Sequence, residues 1–522
     1  MNNLFRIRNY PRQRELEFSH NGVQARFWEI ENSHRDSHER RVRHKIRSTL
    51  RHRSKYDGVV VGSGPNGLAA AIVLARAGRS VLVLEAEERI GGGVRSQELT
   101  LPGFTHDVCS AVHPMAVASP FLRTLPLGEH GLEWIYPRIP LAHPFDDGSA
   151  AILDRSIEKT SELLGADGEA YQRLVGPIVE KWGLLEDFIL GPLGIPRHPV
   201  VAGLFGLHAL QSATRLAKSN FKSEVARTLF AGLAAHSLMP LESWGTSAVG
   251  LVMGALAHGR GWPIAKGGSQ RIADAMASYL RSLGGEIVTG VRVRSQKELP
   301  PSKVVLCDVS PRGLMEIAGE SFPASYRRAL EKFVYGPGVF KVDWALRGPI
   351  PWKARECAEA GTIHIGGTME EIVSSESECW RNKISERPYL LLAQSSLFDP
   401  SRAPAGCHTA WAYCHVPSGS VVDMTERIEA QVERFAPGFR EQILARSTKS
   451  PAQMEQGNAN LVGGSISGGA NSLRQLFLRP TSRFYGTPVK GLFLCSASTP
   501  PGGGVHGMCG YHAATRALKG IT

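Results

Sequence analysis

The chain has 522 residues, 42% of them apolar and 21% charged, which excludes a small module, a wholly disordered chain and a fold built on one modest core. Its formal charge is +12, yet residues 1–55 hold 14 Lys and Arg against six Asp and Glu, a net of +8, so the other 467 residues carry only +4 and no basic stripe for nucleic acid. No apolar run approaches the roughly 18 residues of a spanning helix, so a cytoplasmic protein with at most peripheral membrane contact is expected.

The basic arm, residues 1–54, has HRDSHERRVRHKIRSTLRHRSK at its core and little apolar periodicity, so it reads as flexible or transiently helical. Three readings of it stay open: a solvated extension, a tail for phosphates or lipid headgroups, and a transit peptide, the last opposed by the six acidic residues.

From Tyr56 the pattern changes. Val59–Val61 is a β-branched run of the kind buried in parallel sheets, and Gly62, Gly64 and Gly67 follow at once in G-x-G-x-x-G spacing, with Ser63, Pro65 and Asn66 between them. A helix of small residues runs through Ala77, Gly78 closes it, and a second strand over 80–84 ends on Glu85 and Ala86. Each part has a task. Gly62 permits the turn, Gly64 lets backbone approach a pyrophosphate, Gly67 lets helix and strand pack, the amides at the helix start face the phosphates, and Glu85 accepts from ribose hydroxyls. Strand, glycines, helix, strand and acid in register predict a dinucleotide site. A second glycine cluster in RIGGGVRS, residues 89–96, brings Gly92, Gly93, Arg95 and Ser96; FAD needs such a segment for its pyrophosphate and ribityl chain, and a nicotinamide domain does not.

Segments 156–190 and 208–257 carry apolar residues at three-and-four spacing and predict helices, broken around Gly191–Pro192, Gly194 and Pro196. The stretches 199–210, 236–240 and 247–257 are read as candidate walls of a hydrophobic tunnel for an apolar substrate. In GWPIAKGGSQRIADAM, residues 261–276, Ser269 is placed to cap a helix, and Lys266 is a candidate for the lysine that some flavin oxidases use toward oxygen. Strand-like segments 338–346, 389–395 and 408–415 predict a second sheet. The tail repeats the opening theme: a buried strand to Cys495, then Gly502–Gly504, then a helix start able to stabilise negative charge on a reduced flavin.

VVGSGPNGLAAA, LEAEERIGGG, LPGFTHDVCSAVHP, WPIAKGGSQRIADAM, VVLCDVSPRGL and the 495–512 stretch together resemble the phytoene-desaturase-related FAD oxidoreductases, within the superfamily that includes the amine oxidases. The resemblance runs from Tyr56 to the end. It implies an α/β fold with a Rossmann-like FAD-binding domain (55–115, 262–310 and 486–522) interleaved with an α+β substrate domain (116–261 and 311–485). It also implies that Gly62, Gly64, Gly67 and Glu85 hold the ADP half, that Arg95 and Ser96 lie near phosphates or flavin, and that Val293 meets adenine through its backbone. Gly503, Gly504 and Val505 would flank the flavin. His113 and His506 are the catalytic candidates, since a histidine moves protons near neutral pH, and Asp107 is a loop anchor.

The eight cysteines are dispersed, without C-x-x-C, C-x-x-x-x-C or zinc spacing, so no metal site, no disulfide chemistry and a reducing compartment are expected. The implied activity is hydride transfer between flavin N5 and an isoprenoid or lipid-like substrate, of desaturase or dehydrogenase type. Two alternatives stay beside it. An amine or amino-acid oxidase needs paired aromatics at the flavin, which the sequence does not identify, and for amino acids a carboxylate-binding Arg. A low-turnover flavin-binding regulator needs neither. Oligomeric state is left open.

Overall fold

The structure is a computed structural model that describes Lys45 and residues 55–192 and 194–521. The other residues of the basic arm, and hence all readings of that arm, lie outside the described residues.

Val59–Val61 belong to the strand Tyr56–Val61, which sits in the middle of a five-stranded parallel sheet ordered Leu492–Leu494, Ser302–Cys307, Tyr56–Val61, Val81–Leu84, Glu286–Val288. Side chains alternate across it. Val60, Val81 and Val83 pack under the helices Pro65–Arg76, Gln270–Ser282 and Met508–Leu518, whereas Val59, Val61, Leu82 and Leu84 pack with Leu314 and Tyr326 on the opposite face. Burial on both faces is why these strands read as unbroken apolar runs. The chain runs outward from Tyr56–Val61 in one direction and returns to the other side through Ser302–Cys307, so the connections diverge between these two strands. A crevice at their carboxyl ends follows.

The second sheet has seven strands, in the order Ile443–Lys449, Gly338–Leu346, His408–Val416, Leu390–Ala393, Ala360–Ile365, Ile139–Pro144, Ala150–Leu153, all antiparallel except the Ala360–Ile365/Ile139–Pro144 pair. Phe340, Val342, Trp344 and Leu346 alternate into an outer core with Ile363, Leu392 and Ala412. The intervening residues, Lys341, Asp343, Trp411, Tyr413 and His364, take the other face by the same alternation.

Over 156–190 the helices are Ile157–Leu163, Gly168–Glu180 and Trp182–Ile189, and over 199–259 they are Pro199–Ala209, Ala213–Asn220, Glu224–Ala235 and Thr246–Gly259. Three start on serine caps: Ser156, Ser212 and Ser223 accept from the amides of Lys159, Arg215 and Ala226. The helix expected from 208 starts nine residues earlier, because Pro199 occupies a first-turn position where its missing N–H costs nothing. No described helix is long and apolar enough to cross a membrane.

Candidate functional site

The three glycine segments meet at the crevice. Gly62 has φ +102° and its amide donates to the Leu84 carbonyl at 2.8 Å. A Cβ on Gly67 would lie 2.1 Å from the Gly62 carbonyl oxygen, and one on Gly64 would lie 2.7 Å from a carboxylate oxygen of Asp308, so only hydrogen fits at either position. The second segment is tied to the first by Gly91 N donating to the Ser63 carbonyl at 3.1 Å, and a Cβ on Gly92 would sit 3.2 Å from Gly64 Cα. The third arrives on the helix Met508–Leu518, which lies so close to Pro65–Arg76 that a Cβ on Gly510 would fall 1.8 Å from the Asn66 carbonyl oxygen. Gly503 backs onto the Ser467 carbonyl, 2.7 Å from where its Cβ would be.

A single cavity of about 1110 Å³ opens over this junction, above the roughly 300–1,000 Å³ of sites for one small ligand. Of the cofactor residues named from the sequence, Gly62, Ser63, Gly64, Pro65, Asn66, Glu85, Ala86, Gly92, Gly93, Arg95, Val293, Gly503, Gly504 and Val505 line it, and so do His113 and His506. Two do not. Gly67 lies beneath the wall, its amide donating to Asp308 Oδ2 at 2.9 Å. Ser96 is set back from the wall: its hydroxyl donates to Asp107 at 2.7 Å and accepts from the Gln270 amide at 3.1 Å.

Glu85 accepts from Ser63 N at 2.8 Å, Ser63 Oγ at 2.5 Å and Glu87 N at 2.9 Å. A carboxylate has about four acceptor sites, so about one remains for a ribose hydroxyl unless Ser63 Oγ turns away. The Arg95 guanidinium donates to the carbonyls of Gly457 at 2.5 Å and Gly92 at 3.0 Å, so it braces the loop before any ligand arrives. These donors, acceptors and Cβ-free cradles fit the ADP half of a dinucleotide.

Sequence reasoning missed two charged residues here. Asp308 follows the strand Ser302–Cys307 directly, under the first glycine turn, and burial together with the neighbouring Glu85 raises its carboxyl to about 7. The signal was an acid at the carboxyl end of a predicted central strand. Arg479 is buried against the terminal turn, with its guanidinium carbon 3.5 Å from where a Cβ on Gly502 would lie. Its donors go to the carbonyls of Ser467, Gly469, Ala470 and Ala497 at 3.0–3.3 Å, and burial lowers it to about 10, so it stays a cation at neutral pH. No sequence pattern marks it, because its partners are backbone carbonyls 9–18 residues away, which any residue type supplies.

Asp107 anchors more than a loop. It takes Arg402 Nη1 at 2.7 Å and Ser269 N at 2.8 Å, while Arg402 also donates to Asp399 at 2.9 Å and to the Ala265 carbonyl at 2.9 Å. This buried knot pins the 261–276 segment beneath the cavity. Ser269 makes no side-chain cap; its hydroxyl lies 2.8 Å from His113 Nε2 instead. Lys266 is withdrawn as the oxygen-handling lysine, since it points outward and pairs with Glu133 at 2.9 Å. Burial lowers His113 and His506 each to about 4, so both are neutral at pH 7, and His506 Nδ1 is taken up by the Met508 amide at 3.0 Å. The expected proton traffic near neutral pH does not follow from these surroundings.

The other arm of the cavity runs between the helices and the second sheet. Ala202, Phe205, Gly206, Ala209, Val249, Val252 and Met253 line its helical side, with Trp411, Tyr413 and Leu391 on the sheet. Trp411 and Tyr413 are stacked, ring centroids 5.6 Å apart and planes 10° apart; alternation along the predicted strand puts 411 and 413 on one face, but only the fold shows that face turned to the cavity, so the sequence analysis did not identify the pair. Lys341 Nζ sits 5.3 Å from the Trp411 ring centre and pairs with Asp343, both fully buried. The acids lining the cavity, Glu85, Glu87, Asp308 and Glu316, all belong to its dinucleotide end.

Comparison with known proteins agrees with this geometry. The family described as NAD(P)-binding Rossmann-like domain matches residues 60–124. The chain is similar to pyridine nucleotide-disulfide oxidoreductase domain-containing protein 2 of Rattus norvegicus, 27% identical over 88% of this chain and 93% of that protein. It is also similar to phytoene desaturase (neurosporene-forming) of Rhodobacter capsulatus, 26% identical over 87% of this chain and 91% of that one. In fold it is like a putrescine oxidase triple mutant, with a TM-score of 0.59 at 18% identity over 89% of this chain and 98% of the other.

Proposed function

We propose that the chain is an FAD-dependent oxidoreductase that transfers hydride between flavin N5 and an apolar, isoprenoid or lipid-like substrate, of desaturase or dehydrogenase type. The observation that carries this reading is the cavity of about 1110 Å³, bounded at one end by three glycine segments and Glu85 and walled at the other by small and aliphatic helix residues. FAD bound there supplies the hydride-accepting atom, so the protein's share is to bind, orient and exclude water. On this reading segments 55–115, 262–310 and 486–522 hold the cofactor, and 116–261 with 311–485 hold the substrate. Gly62–Gly67 and Glu85 take the ADP half, Gly92, Gly93 and Arg95 the middle, Val293 the adenine, and Gly503–Val505 the flavin. His113 and His506 contribute neutral hydrogen-bonding edges to the wall.

The helix Pro199–Ala209 joins the cavity to the outside. Its inner residues line the cavity, while Val200 and Leu207 are 74% and 67% exposed. An exposed apolar face continuous with the substrate wall supports loading from a lipid surface, with the basic arm as a second contact to anionic headgroups.

The stacked Trp411–Tyr413 pair favours a second reading, an amine oxidase. Three observations weigh against it. Parallel rings 5.6 Å apart leave no slot for an inserted group, Lys341 already places a cation on the Trp411 ring, and among the described residues no acid lines the substrate arm to receive an ammonium. An amino-acid oxidase needs a carboxylate fork, and of the arginines lining the cavity Arg95 and Arg292 stand at the dinucleotide end while Arg479 donates to backbone carbonyls. The deciding experiment is an absorbance spectrum and mass measurement of the ligand released from purified protein, then a substrate screen with the reduced flavin reoxidised by oxygen and by quinones. FAD release with turnover of an unsaturated or saturated lipid is expected. A protein colourless after reconstitution with FAD refutes the reading, and a flavin that no acceptor reoxidises favours a regulator.

A further inference from the structure

The substrate arm is apolar along its helices and polar along part of its sheet. Strand alternation turns Thr362, His364, Tyr413 and His415 toward the helices, while Ile363, Ile365, Ala412 and Cys414 pack into the outer core. His236, at the carboxyl end of the helix Glu224–Ala235, reaches this face and lines the cavity. Its Nε2 lies 3.0 Å from Nε2 of His364, a contact that holds only when one nitrogen carries hydrogen and the other offers a lone pair. Neither ring is free to turn: Trp262 packs edge-on against His236 at 5.8 Å, and Tyr389 packs edge-on against His364 at 5.5 Å. Tyr389 is itself held by its hydroxyl donating to the Gly232 carbonyl at 3.0 Å.

The second nitrogen of each ring settles where the hydrogens go. Nδ1 of His364 is buried with no hydrogen-bond partner among the described residues. A buried N–H without an acceptor is the costlier defect, and an unsatisfied lone pair the commoner one, so the hydrogen of His364 belongs on Nε2, where His236 receives it. Burial keeps both rings neutral at pH 7, lowering His236 to about 3 and His364 well below its ordinary value. His236 then accepts through Nε2 and must carry its own hydrogen on Nδ1.

We propose that His236 presents an Nδ1–H donor to the apolar arm, and that the ligand of this arm therefore carries an acceptor oxygen, a carbonyl or hydroxyl, on an otherwise apolar chain. The inference rests on the apolar-substrate reading and narrows it away from a bare hydrocarbon. His364 acts as the positioning residue that selects the tautomer.

The test uses the flavin-loaded full chain with decan-2-one and decane as probes, free probe being measured by gas chromatography after ultrafiltration. His236→Phe keeps a ring of similar size without the donor. It is expected to weaken decan-2-one binding about five- to tenfold, as the loss of one neutral hydrogen bond does, and to leave decane binding within twofold. His236→Gln restores an N–H and is expected to recover part of the loss. Equal effects of His236→Phe on both probes overturn this inference alone; failure of wild type to bind either probe overturns the apolar-substrate reading with it. Independently, 15N-histidine NMR of wild type is expected to show, beside the Nδ1–H signals of His258 and His415, whose Nδ1 atoms face the Arg155 carbonyl and Glu376, a further Nδ1–H signal that disappears in His236→Gln. An Nε2–H pattern for that signal overturns the assignment.

Discussion

Asp308 makes a prediction whose size follows from its surroundings. Burial, with Glu85 nearby, moves its carboxyl from 3.8 to about 7, while the Gly67 amide at 2.9 Å pulls the other way without prevailing. Three pKa units correspond to about 4 kcal/mol of preference for the protonated form in the folded protein. Below about pH 4 the group is protonated in both states and costs nothing. As pH rises, the unfolded chain ionises first and gains solvation, so wild type loses stability until the folded carboxyl ionises near 7, after which the penalty is constant. Asp308→Asn keeps the shape and an acceptor for Gly67 but removes the titration. The stability of Asp308→Asn relative to wild type is therefore expected to grow by roughly 3 kcal/mol between pH 5 and pH 8, from paired urea unfolding curves of flavin-free protein. Retention of the anionic cofactor is expected to weaken through pH 7 in wild type and to stay flat in the variant, measured by flavin release on dilution. Parallel pH profiles of the two proteins would refute the argument, because the two chains differ only in the titrating carboxyl.

Gly67→Ala is expected to lose bound flavin and to destabilise the protein by about 1–3 kcal/mol, since its Cβ lands 2.1 Å from the Gly62 carbonyl oxygen; flavin content and urea midpoint check both. Arg479→Gln removes a buried cation beside Gly502 and is expected to lower the midpoint potential of the bound flavin by about 30–60 mV, one to two tenfold steps in the two-electron equilibrium, by spectroelectrochemistry. Replacing Leu204 and Leu207 together by Glu is expected to cut co-sedimentation with neutral liposomes at unchanged flavin content, because both are exposed on the helix that lines the cavity. Removing residues 1–54 is expected to leave flavin content unchanged and to weaken binding to anionic liposomes only; equal binding by both chains rejects the lipid role of the arm.

Local pattern was enough for the dinucleotide end. The strand, the three spaced glycines, the helix and Glu85 lie within 30 consecutive residues, Tyr56–Glu85, so their geometry is dictated by neighbours in the chain and by positions where only hydrogen fits. The strands 338–346 and 408–415 were legible for the same reason, as apolar periodicity belongs to the segment itself.

What only the tertiary structure decided is which distant side chains share a dry space. Arg402 with Asp107, His236 with His364, Trp411 with Lys341, and Arg479 with the carbonyls around Ser467 are joined across sequence separations that no periodicity records. Their charges and tautomers depend on burial and on partners supplied by other elements, as the neutral His113 and His506 and the raised carboxyl of Asp308 show. A residue type in a sequence specifies which proton it can carry; the low-dielectric packing of the folded chain determines whether it does.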